Sequence, residues 1–85
     1  MNCLLWEFEA AFGNAVEVKL DHQANVRLLD RYNFDRFKRG LAHRFSGGGA
    51  TISPVRIQVP QAGHWFLVVD LGGRAGQVEA SVRVV

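Results

Sequence analysis

Apolar and polar residues alternate along most of this chain, and this alternation restricts the possible folds more than any other feature. In the segment VEVKL, Val16, Val18 and Leu20 alternate with two charged residues. VRIQV (55–59) and VEASVRV (78–84) repeat the pattern, as do the shorter NVRLL and the opening LLWEFEAAF. Successive side chains of a strand point to opposite faces, so each segment is predicted to be a half-buried antiparallel strand.

The breaks between these segments carry turn-forming residues. Gly13-Asn14 predicts a hairpin between the first two strands, and PQAG and GGRAGQ separate later strands. Short strands at this spacing are typical of all-β proteins. We therefore predict a small antiparallel β-sandwich of about six or seven short strands. Its length suits one domain, residues 1–85.

One segment, NFDRFKRG, follows a helical spacing instead, because its two phenylalanines are three residues apart. Asn33 is predicted to cap its N terminus, and Gly40 to follow a last turn whose basic residues suit the helix dipole. We predict one short helix near residues 33–39, between the third and fourth strands, with its phenylalanines against the sheet. The nearby SGGGA (46–50) is predicted to be a loop.

The segment GHWFLVVDLGG (63–73) contains an unbroken apolar run from Phe66 to Val69. A strand that is apolar on both faces is predicted to be a central strand covered on both sides. Trp65 is predicted to close one end of the core; the alternative is a ligand anchor at the sheet rim. Asp70 is predicted to accept hydrogen bonds in the following turn, or else to accept from an arginine.

The composition is that of an ordinary globular domain. The chain is 48% hydrophobic and 21% charged, which argues against disorder. Its apolar runs are too short to span a bilayer, and no basic-then-apolar leader opens the chain. The single cysteine, Cys3, excludes an internal disulfide and fits a reducing compartment. We therefore predict a cytoplasmic protein without membrane association.

Four segments, NVRLLD, SPVRIQVP, GHWFLVVDLGG and VEASVRVV, together resemble the bacterial domain-of-unknown-function family 1883. The likeness runs in the same order over essentially the whole chain, with departures in the first strand and in FSGGG. The resemblance implies a small bacterial protein or N-terminal domain. Some members are joined to a Toll/interleukin-receptor-type (TIR) domain, a signalling and NAD-cleaving module of bacterial defence, but no TIR segment is present in this sequence. The resemblance therefore implies a recognition or regulatory module and provides no catalytic residues.

Positive charge is concentrated in one segment of fourteen residues, which holds five of the ten Lys and Arg residues and one acidic residue. Arginine forks suit phosphate geometry, a tyrosine can stack on a base, and glycine-rich backbone can bind anions. We predict that this surface binds an anionic small molecule or a protein partner; the alternative is a solvated helix face. The candidate ligand-binding residues are Arg31, Tyr32, Arg36, Arg39, His43 and Arg44.

Other site chemistries find less support. A net charge of +2 is modest for nucleic-acid binding, and SGGG lacks the Lys-Ser/Thr ending of a P-loop. His22, His43 and His64 show no metal-ligand spacing. His64 and Asp70 would lie about 20 Å apart on a regular strand and cannot pair. No serine, threonine or cysteine lies in a recognised nucleophile motif. We predict no catalytic residue, no metal and no cofactor.

The predicted function is therefore non-catalytic recognition, and two alternatives stay open. The segments LLWEF and VEASVRVV could be edge strands that pair with a second copy, which would make a self-associating scaffold or homo-oligomer. A small hydrolase or NAD-related enzyme predicts instead a deep pocket in which His43 or His64 meets an acid.

Overall fold

A computed structural model describes residues 3–85, which form seven antiparallel strands in two sheets and one short helix. The elements are β1 (Cys3–Ala10), β2 (Ala15–Leu20), β3 (Ala24–Asp30), α1 (Arg31–Lys38), β4 (Ser46–Ala50), β5 (Val55–Gln58), β6 (Gly63–Asp70) and β7 (Ala80–Val84). Sheet A has the order β1-β6-β3-β4, and sheet B the order β5-β2-β7. This confirms the predicted antiparallel, mostly β architecture. No helix within residues 3–85 is long and apolar enough to cross a membrane.

The inward-facing residues of both sheets form one apolar core. On β2, Val16 and Val18 are fully buried, whereas Lys19 is exposed. Val26 on β3 and Leu67 on β6 meet them from sheet A and are also fully buried. Burying an aliphatic side chain of this size contributes about 1.5–3 kcal/mol. The alternation in the sequence therefore supplies the side chains that hold the two sheets together.

Strand β6 is central in sheet A and is covered on both faces, as predicted. It lies between β1 and β3, and every residue from Trp65 to Val69 is buried. Its outer face is covered by α1, where Phe34 stacks on Phe66 with ring centroids 4.1 Å apart. On its inner face, Trp65 belongs to the core, and its indole N–H donates to the carbonyl oxygen of Gln61 at 3.0 Å.

The helix begins earlier than predicted, and its N-cap is a different residue. α1 spans Arg31–Lys38, and Asp30 caps it by accepting a hydrogen bond from the backbone N–H of Asn33 at 2.8 Å. Both residue types favour an N-cap; here the chain passes directly from the last residue of β3 into the helix. The predicted C terminus is confirmed, because Gly40 has a φ of +71° and Leu41 donates its N–H to a last-turn carbonyl.

The SGGGA segment forms strand β4, so the predicted loop is wrong. β4 pairs antiparallel with β3 from Ala24–Ala50 to Leu28–Ser46. Gly47 has a φ of +112°, and a Cβ atom there would overlap the carbonyl oxygen of Val26. Glycine is usually depleted from strands, which explains the wrong prediction. Here its missing side chain allows the two backbones to approach each other.

The predicted hairpin at Gly13-Asn14 is also wrong. β1 pairs with β6 in sheet A, whereas β2 pairs with β5 and β7 in sheet B. The connection therefore crosses from one sheet to the other. Asn14 stabilises the turn by accepting, through Oδ1, the backbone N–H of Ala11 at 2.8 Å. The turn residues correctly predicted a chain reversal but did not determine which strands pair. β1 and β7 are both edge strands, the position that the self-association alternative requires.

Candidate functional site

The helix α1 lies on the outer face of sheet A and is attached there by the two predicted phenylalanines. Phe34 stacks on Phe66 of β6. The ring of Phe37 packs against the guanidinium group of Arg27 on β3. The distance from Cζ of Arg27 to the ring centroid is 5.5 Å. These contacts fix the rotation of the helix about its axis and leave its basic residues exposed or half-buried at the surface.

A groove of about 530 Å³ lies between α1 and strands β1 and β6, and we call it the helix groove. Four of its lining residues are basic and two are acidic, so its lining carries a formal charge of 4 − 2 = +2. The lining residues are Glu7, Arg31, Tyr32, Phe34, Asp35, Arg36, Lys38, Arg39 and Phe66.

Two of these cations lie against phenylalanine rings. The Arg31 guanidinium is 5.4 Å from the centroid of Phe66, and the Lys38 ammonium is 5.0 Å from that of Phe34. Because the two rings stack on each other, the stacked pair holds both cations beside one groove. Neither cation makes an ion pair with another residue of the described chain, so no carboxylate competes for either of them.

The other polar residues of the groove differ in how firmly they are held. Arg36 donates from Nε to the carbonyl oxygen of Ala42 at 2.5 Å and lies 5.6 Å from the ring of Tyr32, so it fixes the chain after the helix. Tyr32 itself is 68% exposed. Arg39 approaches Asp35 only to 3.9 Å, and both side chains are exposed. Such a surface pair is weak, so Arg39 can turn toward a ligand at little cost.

His43 and Arg44 do not line the helix groove. The His43 ring packs edge-on against Phe37, with centroids 5.3 Å apart, and its Nδ1 is 2.9 Å from the carbonyl oxygen of Leu41. Arg44 is exposed, and its backbone N–H donates to Oδ1 of Asn33 at 2.8 Å. The structure therefore brings four of the six predicted residues to one groove, namely Arg31, Tyr32, Arg36 and Arg39.

A charged cluster beside the groove was missed from the sequence. His64 on β6 lies between two glutamates of β1, with Nδ1 2.6 Å from Glu9 Oε1 and Nε2 3.0 Å from Glu7 Oε1. The carboxylate of Glu7, and then that of Glu9, raises the pKa of His64. The alternation showed that the two glutamates share a face, but only the β1–β6 register places His64 beside them.

The surroundings of His64 and of Asp70 are defined by their hydrogen-bond partners within residues 3–85. His64 is one-third exposed on the sheet surface, and within residues 3–85 it forms hydrogen bonds to glutamates and to no serine, threonine or cysteine. Among those residues, no group of three or more His, Cys, Asp or Glu side chains is placed to hold a metal ion. Asp70 pairs with Arg27 and also accepts the N–H of Gly72 in the following turn, so both of its predicted roles are confirmed.

The predicted resemblance to the domain-of-unknown-function family 1883 is confirmed by a match to the family model. The model of the family described as Domain of unknown function (DUF1883) matches residues 7–85. The chain belongs to the DUF1883 family. The match begins within β1 and includes α1 and all the other strands. Searches among curated proteins and among solved structures found no match to the chain. The description of this family states no function for the DUF1883 domain.

The open face of sheet B in this DUF1883 domain carries a second charged cluster. Glu17 on β2 lies between Arg56 and Arg83 of the neighbouring strands, with N–O distances of 3.2 Å and 2.8 Å. Hydrogen bonds from Arg56 and then from Arg83 lower the pKa of Glu17. These residues are directly opposite each other in the strand register, so the cluster ties the three strands together.

The His64 cluster predicts a pH dependence of stability. The pKa of His64 is raised above its ordinary value of 6.5 in the folded state. Its stabilising contribution is therefore fully present below the unfolded-state pKa and is lost as pH rises through the folded-state pKa. We expect the melting temperature of His64→Gln to vary less with pH above about pH 6 than that of the wild type. His22→Gln, which removes an exposed histidine elsewhere, is the control; equal pH profiles for His64→Gln and the wild type would contradict the prediction.

Proposed function

We propose that this DUF1883 domain is a non-catalytic recognition module that binds an anionic ligand in the helix groove. The observation that carries the proposal is the concentration of four cations, a largely exposed tyrosine and two phenylalanine rings around one space of about 530 Å³. Such a groove combines charge attraction with an apolar floor, as small-molecule sites commonly do.

The charge of the groove favours a doubly charged group. Its formal charge of +2 matches a phosphate ester in its dianionic form. Arg31 and Arg39 present guanidinium groups, which bind phosphate oxygens through paired N–H donors. The exposed ring of Tyr32 can stack against a flat part of the same ligand. We therefore propose that the ligand is a small phosphorylated molecule.

We also propose that the protein acts in the bacterial cytoplasm. The single cysteine supports that compartment, and the resemblance to TIR-linked proteins supports a sensing role.

The test compares two double variants that change net charge equally. Arg31→Glu/Arg39→Glu reverses two groove cations, whereas the control Lys19→Glu/Arg44→Glu reverses two exposed cations outside the groove. We expect adenosine monophosphate and glucose 6-phosphate to raise the melting temperature of the wild type and the control at low salt. The groove variant should bind at least about tenfold more weakly, because each charge-assisted hydrogen bond contributes about 1.5–3 kcal/mol.

Two results would overturn this proposal. Equal loss of binding in both double variants would show that net charge alone attracts phosphates. A wild-type melting temperature that no phosphorylated compound changes would exclude the groove as their site. The groove variant itself should melt within a few degrees of the wild type, because its substituted side chains are exposed.

Self-association is a second candidate, and one feature of β1 favours it. This edge strand pairs with β6 over all eight of its residues and contains no proline or lysine, two residues that commonly protect an edge. Its two charged residues, Glu7 and Glu9, are both paired with His64. The mass in solution, measured over a range of concentrations, distinguishes a monomeric recognition module from a self-associating one.

A further inference from the structure

A second cavity, separate from the helix groove, opens beside the chain segment that joins β6 to β7. Its volume is about 450 Å³, and it shares no lining residue with the helix groove. Its walls come from sheet A, from α1 and from the joining segment. The lining residues that matter below are Arg27, Phe37, Asp70, Leu71 and Arg74.

The acid of this cavity is already fully engaged by the protein. Oδ2 of Asp70 accepts a hydrogen bond from Nη1 of Arg27. Oδ1 accepts from Nδ2 of Asn25 at 3.1 Å and from the backbone N–H of Gly72 at 2.7 Å. Gly72 can approach this closely only without a side chain, since a Cβ atom would lie 2.8 Å from Nδ2 of Asn25. The turn after β6 therefore fixes Asp70, and Asp70 fixes Arg27.

Arg27 is held in place but keeps unused donors. Its guanidinium lies over two rings, 5.5 Å from the centroid of Phe37 and 5.3 Å from that of Phe45. Of its five N–H groups, one binds Asp70. Its Nε is the one buried side-chain nitrogen or oxygen within residues 3–85 that has no hydrogen-bond partner. Nη2 also has no hydrogen-bond partner within residues 3–85, but it is not buried, so its N–H groups are open to a ligand.

Arg74 adds a second positive charge to the same cavity. Its Nε donates to the carbonyl oxygen of Leu71 at 3.0 Å, which folds the side chain back and leaves both terminal nitrogens free of protein partners in the described chain. With Arg27 and Asp70, the lining carries a formal charge of 2 − 1 = +1. Phe37 and Leu71 supply apolar surface beside these charges.

We propose that this cavity binds a small monocarboxylate that carries an apolar group. The carboxylate accepts hydrogen bonds from the guanidinium groups of Arg27 and Arg74, and the apolar group packs against Phe37 and Leu71. The charge of +1 favours a monoanion here, in contrast to the +2 of the helix groove. This second site does not depend on the function proposed for that groove.

Titration with sodium benzoate, followed by ¹⁵N-resolved NMR, tests the proposal. We expect saturable changes at the amides of Gly73 and Gly76, which line the cavity, and at the Nε–H signals of Arg27 and Arg74. Arg74→Gln should bind benzoate at least about tenfold more weakly with an unchanged melting temperature, because this side chain is exposed. The matched control Arg44→Gln should bind like the wild type.

One further variant distinguishes this site from the helix groove, and further ligands define the class of molecule that it binds. Arg31→Glu/Arg39→Glu should retain benzoate binding. A negative result for the helix groove therefore does not affect the test of this cavity. Acetate should bind more weakly than benzoate, because it lacks the apolar group. The proposal is overturned if the shifts do not saturate, if Arg74→Gln binds like the wild type, or if acetate or inorganic phosphate binds as tightly as benzoate.

Discussion

Replacing Leu67 by alanine is expected to lower the free energy of unfolding by about 3–5 kcal/mol. Leu67 is fully buried at the centre of β6, where it contacts both sheets of the core. A domain of 85 residues has a total stability of only about 4–13 kcal/mol. The variant should therefore lose a large part of its stability, which urea unfolding followed by circular dichroism measures directly.

Leu5→Ala is the matched control for this substitution. Leu5 also lies on a strand of sheet A, but it faces outward and is 47% exposed. We expect its replacement to cost about 1 kcal/mol or less. Similar losses in the free energy of unfolding for the two variants would show that side chains packed between the sheets are not the main source of stability.

The second large effect is expected at Gly47, the second residue of β4. Gly47→Ala should lower the free energy of unfolding by about 2–4 kcal/mol, because it combines backbone strain with steric overlap. The strain arises from a φ of +112°, and the overlap from the carbonyl oxygen of Val26 on the neighbouring strand. Relief of the overlap requires β3 and β4 to separate. Urea unfolding again provides the measurement.

Gly48→Ala separates these two contributions. Gly48 also has a positive φ, +146°, but a Cβ atom there would meet no atom within 4 Å. Its replacement should therefore introduce backbone strain without steric overlap, and it should lower the free energy of unfolding by about 1 kcal/mol. If Gly48→Ala destabilises the protein as much as Gly47→Ala, the close approach of the two backbones is not what requires glycine in β4.

The features predicted correctly from the sequence depend on the spacing of apolar residues within one strand or helix. A period of two identified the inward-facing valines of β2, and a spacing of three placed Phe34 and Phe37 on the inner face of α1. The helical segment also carries four of the six predicted ligand residues, and these four line one groove. Local spacing is sufficient for these predictions because each concerns residues within a few positions of one another.

The features that sequence reasoning missed depend on contacts between distant segments. His64 and Glu9 are 55 residues apart, so only the strand register brings them together. The sequence predicted an arginine partner for Asp70 but did not identify Arg27, which is 43 residues away. β4 was missed because its glycines favour a loop by propensity, whereas pairing with β3 outweighs that preference. The other wall of the helix groove, formed by Glu7 and Phe66, depends on the same register.

The order of the strands has a consequence for how the chain reaches its native state. Of the neighbouring strand pairs within residues 3–85, β3 and β4 alone are consecutive along the chain, and α1 lies between them. No tight hairpin is therefore available as an early folding nucleus, and long loops must close before most pairs form. Topologies of this kind fold in about milliseconds to seconds rather than microseconds. During synthesis, sheet A cannot be completed until β6 has left the ribosome, nor sheet B until β7 has left it, so the apolar strands made earlier stay exposed until then.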